Sequence, residues 1–207
     1  MQPPPADPAR PGAVASIDDQ VKGLLARGEL DDATTLVLER FGPELLGFLL
    51  ALLRSPVDAG DAFSDASVDV WRGLAGFQWQ SSLRTWLYVL TRRAAYRLAR
   101  DPRRQPGRAM PLSQVSRISR LAVDLCNTTL PRLEAQHDAL AEIRAQLAPD
   151  DQVLLVLRVD RDLPWRDIAE VLAADGEDDL DAAAARLRKR FMRVKEQIRA
   201  LARKAGV

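Results

Sequence analysis

The segment from Trp79 to Arg100 constrains the fold of this chain more than any other. Its apolar residues recur at three- and four-residue spacing, which places them on one face of a helix. Arginines and a tyrosine fall on a different face, and Ser81 or Ser82 is placed to cap the first turn. The segment therefore predicts a helix with one side for a core and one side for a polyanion. The apolar positions are Leu83, Trp86, Leu87, Leu90, Ala94 and Leu98.

Helical periodicity of this kind continues through most of the 207 residues. Gly and Pro are sparse inside the periodic segments and β-branched runs are rare, which favours an all-α fold. The formal net charge is only +1, but the charges are segregated along the chain. Arginines gather at 84–108 and 186–204, whereas acids gather at 58–69 and 175–181. Such local patches, more than the total charge, steer a polyanion.

Several classes of site are not expected. The single cysteine, Cys126, excludes an internal disulfide and a cysteine-based zinc site. The sequence contains no Gly-rich phosphate loop and no catalytic constellation, so we expect neither an enzyme nor a cofactor. The N-terminus does not resemble a signal peptide, and the longest apolar run, near Leu45–Leu53, is too short to span a bilayer. These features predict a cytoplasmic protein without membrane insertion.

We predict two small helical domains joined by a linker. Residues 1–16 are expected to form a disordered Pro-rich tail and residues 17–101 a first helical bundle. Residues 102–132 are expected to form a linker with at most one short helix, and residues 133–207 a second domain. Within the first domain, Asp31 is expected to cap a helix that ends near Phe41. Pro43 is expected to open the next helix, because proline is favoured in a first turn.

The helix predicted from Asp58 to Leu74 carries two opposed stripes. Phe63, Val70, Trp71 and Leu74 form the apolar stripe. Four carboxylates share one narrow arc on the other side, where they repel each other and cost helix stability. A helix N-terminus favours the first two acids but does not explain the last two. We interpret the stripe as a docking face for a basic partner, with a solvated face as the alternative. The four acids are Asp58, Asp61, Asp65 and Asp69.

The C-terminal part contains two helices joined by a turn, and the second of them is basic. This arrangement is typical of a helix-turn-helix whose second helix reads DNA. Apolar residues alternate at four and three positions along that helix from Leu180 to Leu201. The same spacing would also satisfy a coiled-coil seam, so an interaction scaffold that dimerises stays open as an alternative.

Two parts of the chain resemble bacterial extracytoplasmic-function (ECF) sigma factors. Val70-Trp71-Arg72, the run Ser81-Ser82-Leu83-Arg84-Thr85-Trp86-Leu87-Tyr88 and Arg92-Arg93-Ala94-Ala95 stand in the order of their second conserved region. The segments 167–172 and 187–195 resemble the two helices of their fourth conserved region. The chain departs from the family at Ser64, Asp65, Ser67, Arg93 and Arg97, and in the longer acidic turn at 175–181.

The resemblance implies a dissociable subunit that binds the β′ and β subunits of core RNA polymerase and promoter DNA. It also implies an anti-sigma factor as a candidate partner. A stand-alone helix-turn-helix regulator is the alternative. The residues implied to bind the polymerase are Asp58, Asp61 and Asp65. Those implied to bind the melted minus-ten element are Phe77, Trp79, Gln80, Ser81, Arg92, Arg93, Tyr96, Arg97 and Arg100. Those implied to bind the minus-thirty-five element are Arg186, Arg188, Lys189, Arg190 and Arg193.

Overall fold

The computed structural model describes residues 16–100, 116–135, 144–172 and 179–205. Within these ranges the regular structure is helical and no strand occurs, which confirms the all-α class. A π-helical turn at Val156–Asp160 directly follows the α-helix Pro149–Leu155. The helices are α1 Ile17–Ala26, α2 Leu30–Leu53, α3 Pro56–Leu74, α4 Leu83–Arg100, α5 Ser116–Ala135, α6 Pro149–Leu155, α7 Trp165–Leu172 and α8 Leu180–Ala205.

The prediction that Pro43 opens a new helix is wrong. α2 runs without interruption from Leu30 to Leu53, with Pro43 inside it. A proline in a helix interior removes one hydrogen bond and costs about 3 kcal/mol or more. Here Pro43 is exposed, while Phe41 and Leu45 on either side of it are buried in the core. Burial of the flanking apolar residues offsets the cost, so the helix continues.

The prediction of at most one short helix between the two parts is also wrong. α5 is 20 residues long and packs against α2 and α3. The contact with α2 depends on Gly42, where a Cβ would lie 2.9 Å from a methyl carbon of Leu125. The predicted boundary near Leu133 falls inside α5, and the bounds of the two domains stay a prediction. Residues 1–15, 101–115 and 173–178 lie outside the described ranges.

One hydrophobic cluster joins helices from both halves of the chain. Phe48 of α2 and Tyr88 of α4 are fully buried and meet edge to face, with ring centroids 5.1 Å apart. The same cluster contains Leu154 of α6 and Ile168 of α7. In the described ranges, no helix is both long enough and apolar enough to cross a membrane.

The apolar stripe of α8 packs inside the chain. Val194 lies with Leu147 and Leu155 in one cluster, and Ala184 lies with Ala169 in another. Trp165 of α7 also meets a ring on this stripe edge to face. The stripe therefore covers α6 and α7, and these contacts occupy the seam that a dimeric coiled coil would need.

Candidate nucleic-acid interface

The start of α4 follows the capping prediction. Ser82 Oγ accepts a hydrogen bond from the backbone N–H of Thr85 at 3.0 Å, so Ser82 is the N-cap residue. Leu83, Leu87 and Tyr88 are fully buried, which fixes the helix against α2 and α3. The opposite side of α4 and the loop before it are therefore held in a defined orientation.

The loop between α3 and α4 holds an aromatic stack. The ring of Phe77 lies 4.8 Å from that of Trp86 and 4.9 Å from that of Trp79, centroid to centroid. Trp79 has a φ of 57°, in the left-handed region that costs a non-glycine residue of order 1–3 kcal/mol. Its ring is thus held in place by tertiary contacts. Of the neighbouring predicted residues, Gln80 is exposed and Ser81 half-buried.

A lysine that the sequence did not indicate completes this loop. The ammonium of Lys22, on α1, lies 4.4 Å from the centroid of the Trp79 ring. A cation over an indole ring is attracted by its negative face. A flat aromatic surface beside a cation can stack an unpaired base and hold its phosphate. We name Phe77, Trp79, Trp86 and Lys22 the aromatic loop site.

The cationic side chains on the basic face of α4 contact two different helices. The guanidinium of Arg92 lies 4.5 Å from the Tyr96 ring centroid, and its Nη1 donates to the carbonyl of Val171 in α7 at 3.3 Å. Arg97 instead forms an ion pair with Asp69 of α3. Arg93 and Arg100 are exposed. The predicted minus-ten residues of α4 thus share one helix but do not form one continuous free surface.

The acidic stripe lies on α3 as expected from its spacing. Asp58, Asp61 and Asp65 are half-buried, and Ser55 caps the helix by accepting the N–H of Asp58 at 3.2 Å. Cys126 of α5 lies beside this stripe. Burial, and secondly the negative charge of Asp61, raise the pKa of the Cys126 thiol to about 11. α5 therefore borders the acidic stripe on one side.

The raised pKa of Cys126 predicts slow alkylation. A free thiol has a pKa of about 8.5, and only the thiolate reacts, so iodoacetamide at about pH 8 should modify the folded chain roughly 100-fold more slowly than a free thiol. Mass spectrometry over time measures the rate. Urea-unfolded chain is the control and should react at the free-thiol rate, whereas equal rates in both states would contradict the placement of Cys126.

The basic residues of α8 differ in their surroundings. Arg186, Arg188, Lys189 and Arg193 are exposed. Arg190 is half-buried, and its Nε donates to Asp151 of α6 at 2.6 Å. Asp179 caps α8, because its Oδ1 accepts the N–H of Ala182 at 2.9 Å. The remainder of the acidic turn, up to residue 178, lies outside the described residues.

A polar junction that sequence reasoning missed joins α4 to the C-terminal half. Glu44 of α2 accepts hydrogen bonds from Arg84 Nε at 2.6 Å and from the Tyr88 hydroxyl at 2.7 Å. Burial first, and then the charge of Glu44, raise the pKa of Tyr88 above its ordinary value. Arg84 Nη1 donates to the Arg161 carbonyl at 2.9 Å. These partners lie 40 and 77 residues from Arg84, so no local pattern indicates them.

Comparison with known proteins gives a family match in the N-terminal half of the chain. Residues 37–105 match the family model described as sigma-70 region 2. The match covers about a third of the chain and includes most of α2 with all of α3 and α4, hence the acidic stripe, Phe77, Trp79 and the basic face. No curated protein matches the chain.

Proposed function

We propose that the chain is a sigma factor of the ECF subgroup, which binds core RNA polymerase and directs it to promoters. The observation that carries the proposal is the sigma-70 region 2 match at residues 37–105, within which α3, α4 and the loop between them present the acidic stripe, the aromatic rings of Phe77, Trp79 and Trp86, and the basic face of α4. A region 2 module supports binding of core polymerase and opening of promoter DNA. That work takes place in the cytoplasm, and an anti-sigma factor is a further partner that the subgroup implies.

In the first step, α3 binds the polymerase. Its half-buried carboxylates at Asp58, Asp61 and Asp65 face a basic surface of the β′ subunit. Half-buried charges are screened less by salt than fully exposed ones, so the pairing keeps its strength at physiological ionic strength. Charge complementarity across such an interface sets both the rate of association and the choice of partner.

In the second step, the aromatic loop site takes a base from the opened minus-ten element. The ring of Trp79 offers a stacking surface, and base–aromatic stacking contributes about 1–3 kcal/mol per base. Lys22 lies over that ring at 4.4 Å, so an entering base displaces its ammonium toward the nucleotide's phosphate. Arginines of α4 hold the backbone of the same strand, since phosphate contacts position a strand without reading its sequence.

In the third step, α8 binds the minus-thirty-five element as duplex. Helix α7 crosses the backbone and α8 enters the major groove, as in other helix-turn-helix modules. Arg186, Arg188, Lys189 and Arg193 lie on the exposed side of α8. A lost phosphate contact weakens binding to every promoter alike, whereas a lost base contact changes which promoter is chosen.

Run-off transcription tests the proposal directly. Purified core RNA polymerase and a genomic promoter library are incubated with and without the chain, and the transcripts are sequenced. We expect new start sites that share two upstream sequence elements. Absence of new transcripts, together with failure to bind core polymerase, would contradict the proposal, and tight duplex binding by the free chain would then favour a stand-alone regulator.

A further inference from the structure

Helix α5 fills a groove between α2 and α3. It packs against both helices, which also pack against each other. Glycines bring its side chains close to the backbone below. A Cβ at Gly42 of α2 would lie 2.9 Å from Leu125 Cδ1, and a Cβ at Gly60 of α3 would lie 3.7 Å from Cys126 Sγ. The two helices therefore leave space for a third helix along their junction.

The lining of this groove is apolar. A Cβ at Gly42 would also lie 3.2 Å from Phe63 Cζ, and Phe63 is fully buried. Ile118 and Ala122 of α5 are almost fully buried and belong to the same hydrophobic cluster as Phe63. An empty groove would expose part of this surface to water, which is unfavourable. The groove is consequently expected to hold an apolar helix face at all times.

The other contacts of α5 add little to this packing. Pro131 lies inside α5, where a proline removes a backbone hydrogen bond and weakens the helix. Arg117 pairs with Asp32 of α2 at 2.9 Å, but both side chains are more than half exposed, and exposed ion pairs contribute little. The Cys126 thiol, a weak donor, reaches the carbonyl of Gly60 only at 4.0 Å. A better occupant can therefore replace α5.

One rim of the groove is formed by the acidic stripe of α3. Asp61 lies close enough to Cys126 for its negative charge to contribute to the raised pKa of the thiol. Within the described ranges no cationic side chain pairs with Asp58 or Asp61. Helix α5 thus places a neutral thiol where a carboxylate would favour an ammonium or a guanidinium. A helix with a basic flank would complement this rim better.

We propose that the groove between α2 and α3 is a docking site for an amphipathic helix with an apolar face and a basic flank, and that α5 occupies it in the free chain. The incoming helix replaces α5, lays its apolar face over Gly42 and Gly60, and pairs its cations with Asp58 and Asp61. The exchange keeps the apolar burial and adds ion pairs, so such a ligand shifts the chain to the form in which α5 has left. That the helix belongs to core RNA polymerase rests on the proposed function.

A disulfide that fixes α5 in the groove tests the exchange. The variant Gly60→Cys places a Cβ in ordinary van der Waals contact with Cys126 Sγ, so α3 accepts it and oxidation should join the two thiols. The full-length variant is oxidised, freed of oxidant and isolated as a monomer, and titration of its thiols after unfolding shows whether the bond has formed. Failure of the bond to form would overturn the placement of α5 and the proposal with it.

Fluorescence anisotropy then compares the binding of core RNA polymerase by the oxidised variant and by the same sample after reduction with dithiothreitol. Affinity falls with the fraction of molecules whose site is open, so we expect the oxidised form to bind at least about tenfold more weakly. The control is Gly60→Cys, Cys126→Ser, which cannot form the bond and should bind equally before and after reduction. Equal binding by the oxidised and the reduced Gly60→Cys variant would overturn the proposal.

A second ligand separates the groove from the sigma-factor proposal. If the unmodified chain does not bind core polymerase, the sigma-factor proposal fails, and a synthetic peptide decides about the groove. The peptide is about three heptads long, with leucine on one helical face and lysine elsewhere. Binding at least about tenfold tighter to the reduced than to the oxidised Gly60→Cys variant would uphold the groove. Equal binding to both forms, or binding to neither, would overturn it.

Discussion

Replacing Asp61 and Asp65 by arginine is expected to raise the dissociation constant for core RNA polymerase by at least about 100-fold, since like charges placed together at an interface cost several kcal/mol. Both side chains are half-buried on α3, inside the region 2 match. The substitution would turn the middle of the acidic stripe basic, and a basic surface on the β′ subunit would then repel it. Fluorescence anisotropy of labelled chain titrated with core polymerase measures the constant.

The control for this experiment is Asp18→Arg, Asp19→Arg on α1. It makes the same change of net charge in the first turn of a helix that lies outside the region 2 match. It should change the dissociation constant by no more than a few-fold. Circular dichroism checks that both variants are folded. If the α3 variant binds as tightly as the α1 variant, the acidic stripe is only a solvated face.

Replacing Trp79 by alanine is expected to remove most promoter opening while leaving polymerase binding unchanged. The loss of one stacked base costs about 1–3 kcal/mol, so the population of open complexes should fall by about 5- to 150-fold. In the Trp79→Ala variant the ring of Phe77 is still stacked on Trp86, so we do not expect it to replace Trp79 as the stacking surface. Permanganate reactivity of thymines in the minus-ten element measures the opened DNA.

The variant Trp79→Phe provides the comparison. It keeps an aromatic ring in the loop, so it should retain a substantial part of the opening, whereas Trp79→Ala should not. If Trp79 only packs the loop, both variants should lose thermal stability. Their permanganate reactivities should then be the same. Opening by Trp79→Ala at the level of the unmodified holoenzyme would reject the stacking role.

Helix α4 shows how far local pattern predicts structure. Its apolar spacing, a serine cap at Ser81 or Ser82 and its basic face could all be predicted from the sequence, because each depends on residues within one or two turns. The structure places the cap at Ser82. The acidic stripe of α3 follows from the same periodicity. Pro43 shows the limit, since the local preference for a helix start was outweighed by burial of Phe41 and Leu45 in a core assembled from distant segments.

α5 and the aromatic loop site show the same limit in different ways. The weak periodicity of residues 116–135 did not predict a long helix, yet α5 covers this whole segment. Its stability comes from packing against α2 and α3, through contacts such as that of Leu125 with Gly42. Lys22 lies over Trp79 only because α1 folds back onto a loop more than 50 residues later in the chain. Neither of these two contacts can be predicted from the neighbouring sequence, because each joins residues that are far apart in the chain.

The sequence by itself determined which side chains of this protein are charged, which face of each helix they occupy and which runs resemble a sigma factor, because helical periodicity and capping act over a few residues. Only the tertiary structure decided which of those side chains are free. Tyr96 and Arg190 both lie on predicted DNA-binding faces, yet both are bound to acids at the start of α6, at 54 and 39 residues' separation. Which acid a polar or charged side chain contacts depends on their distance in space, and the packing of the core determines that distance.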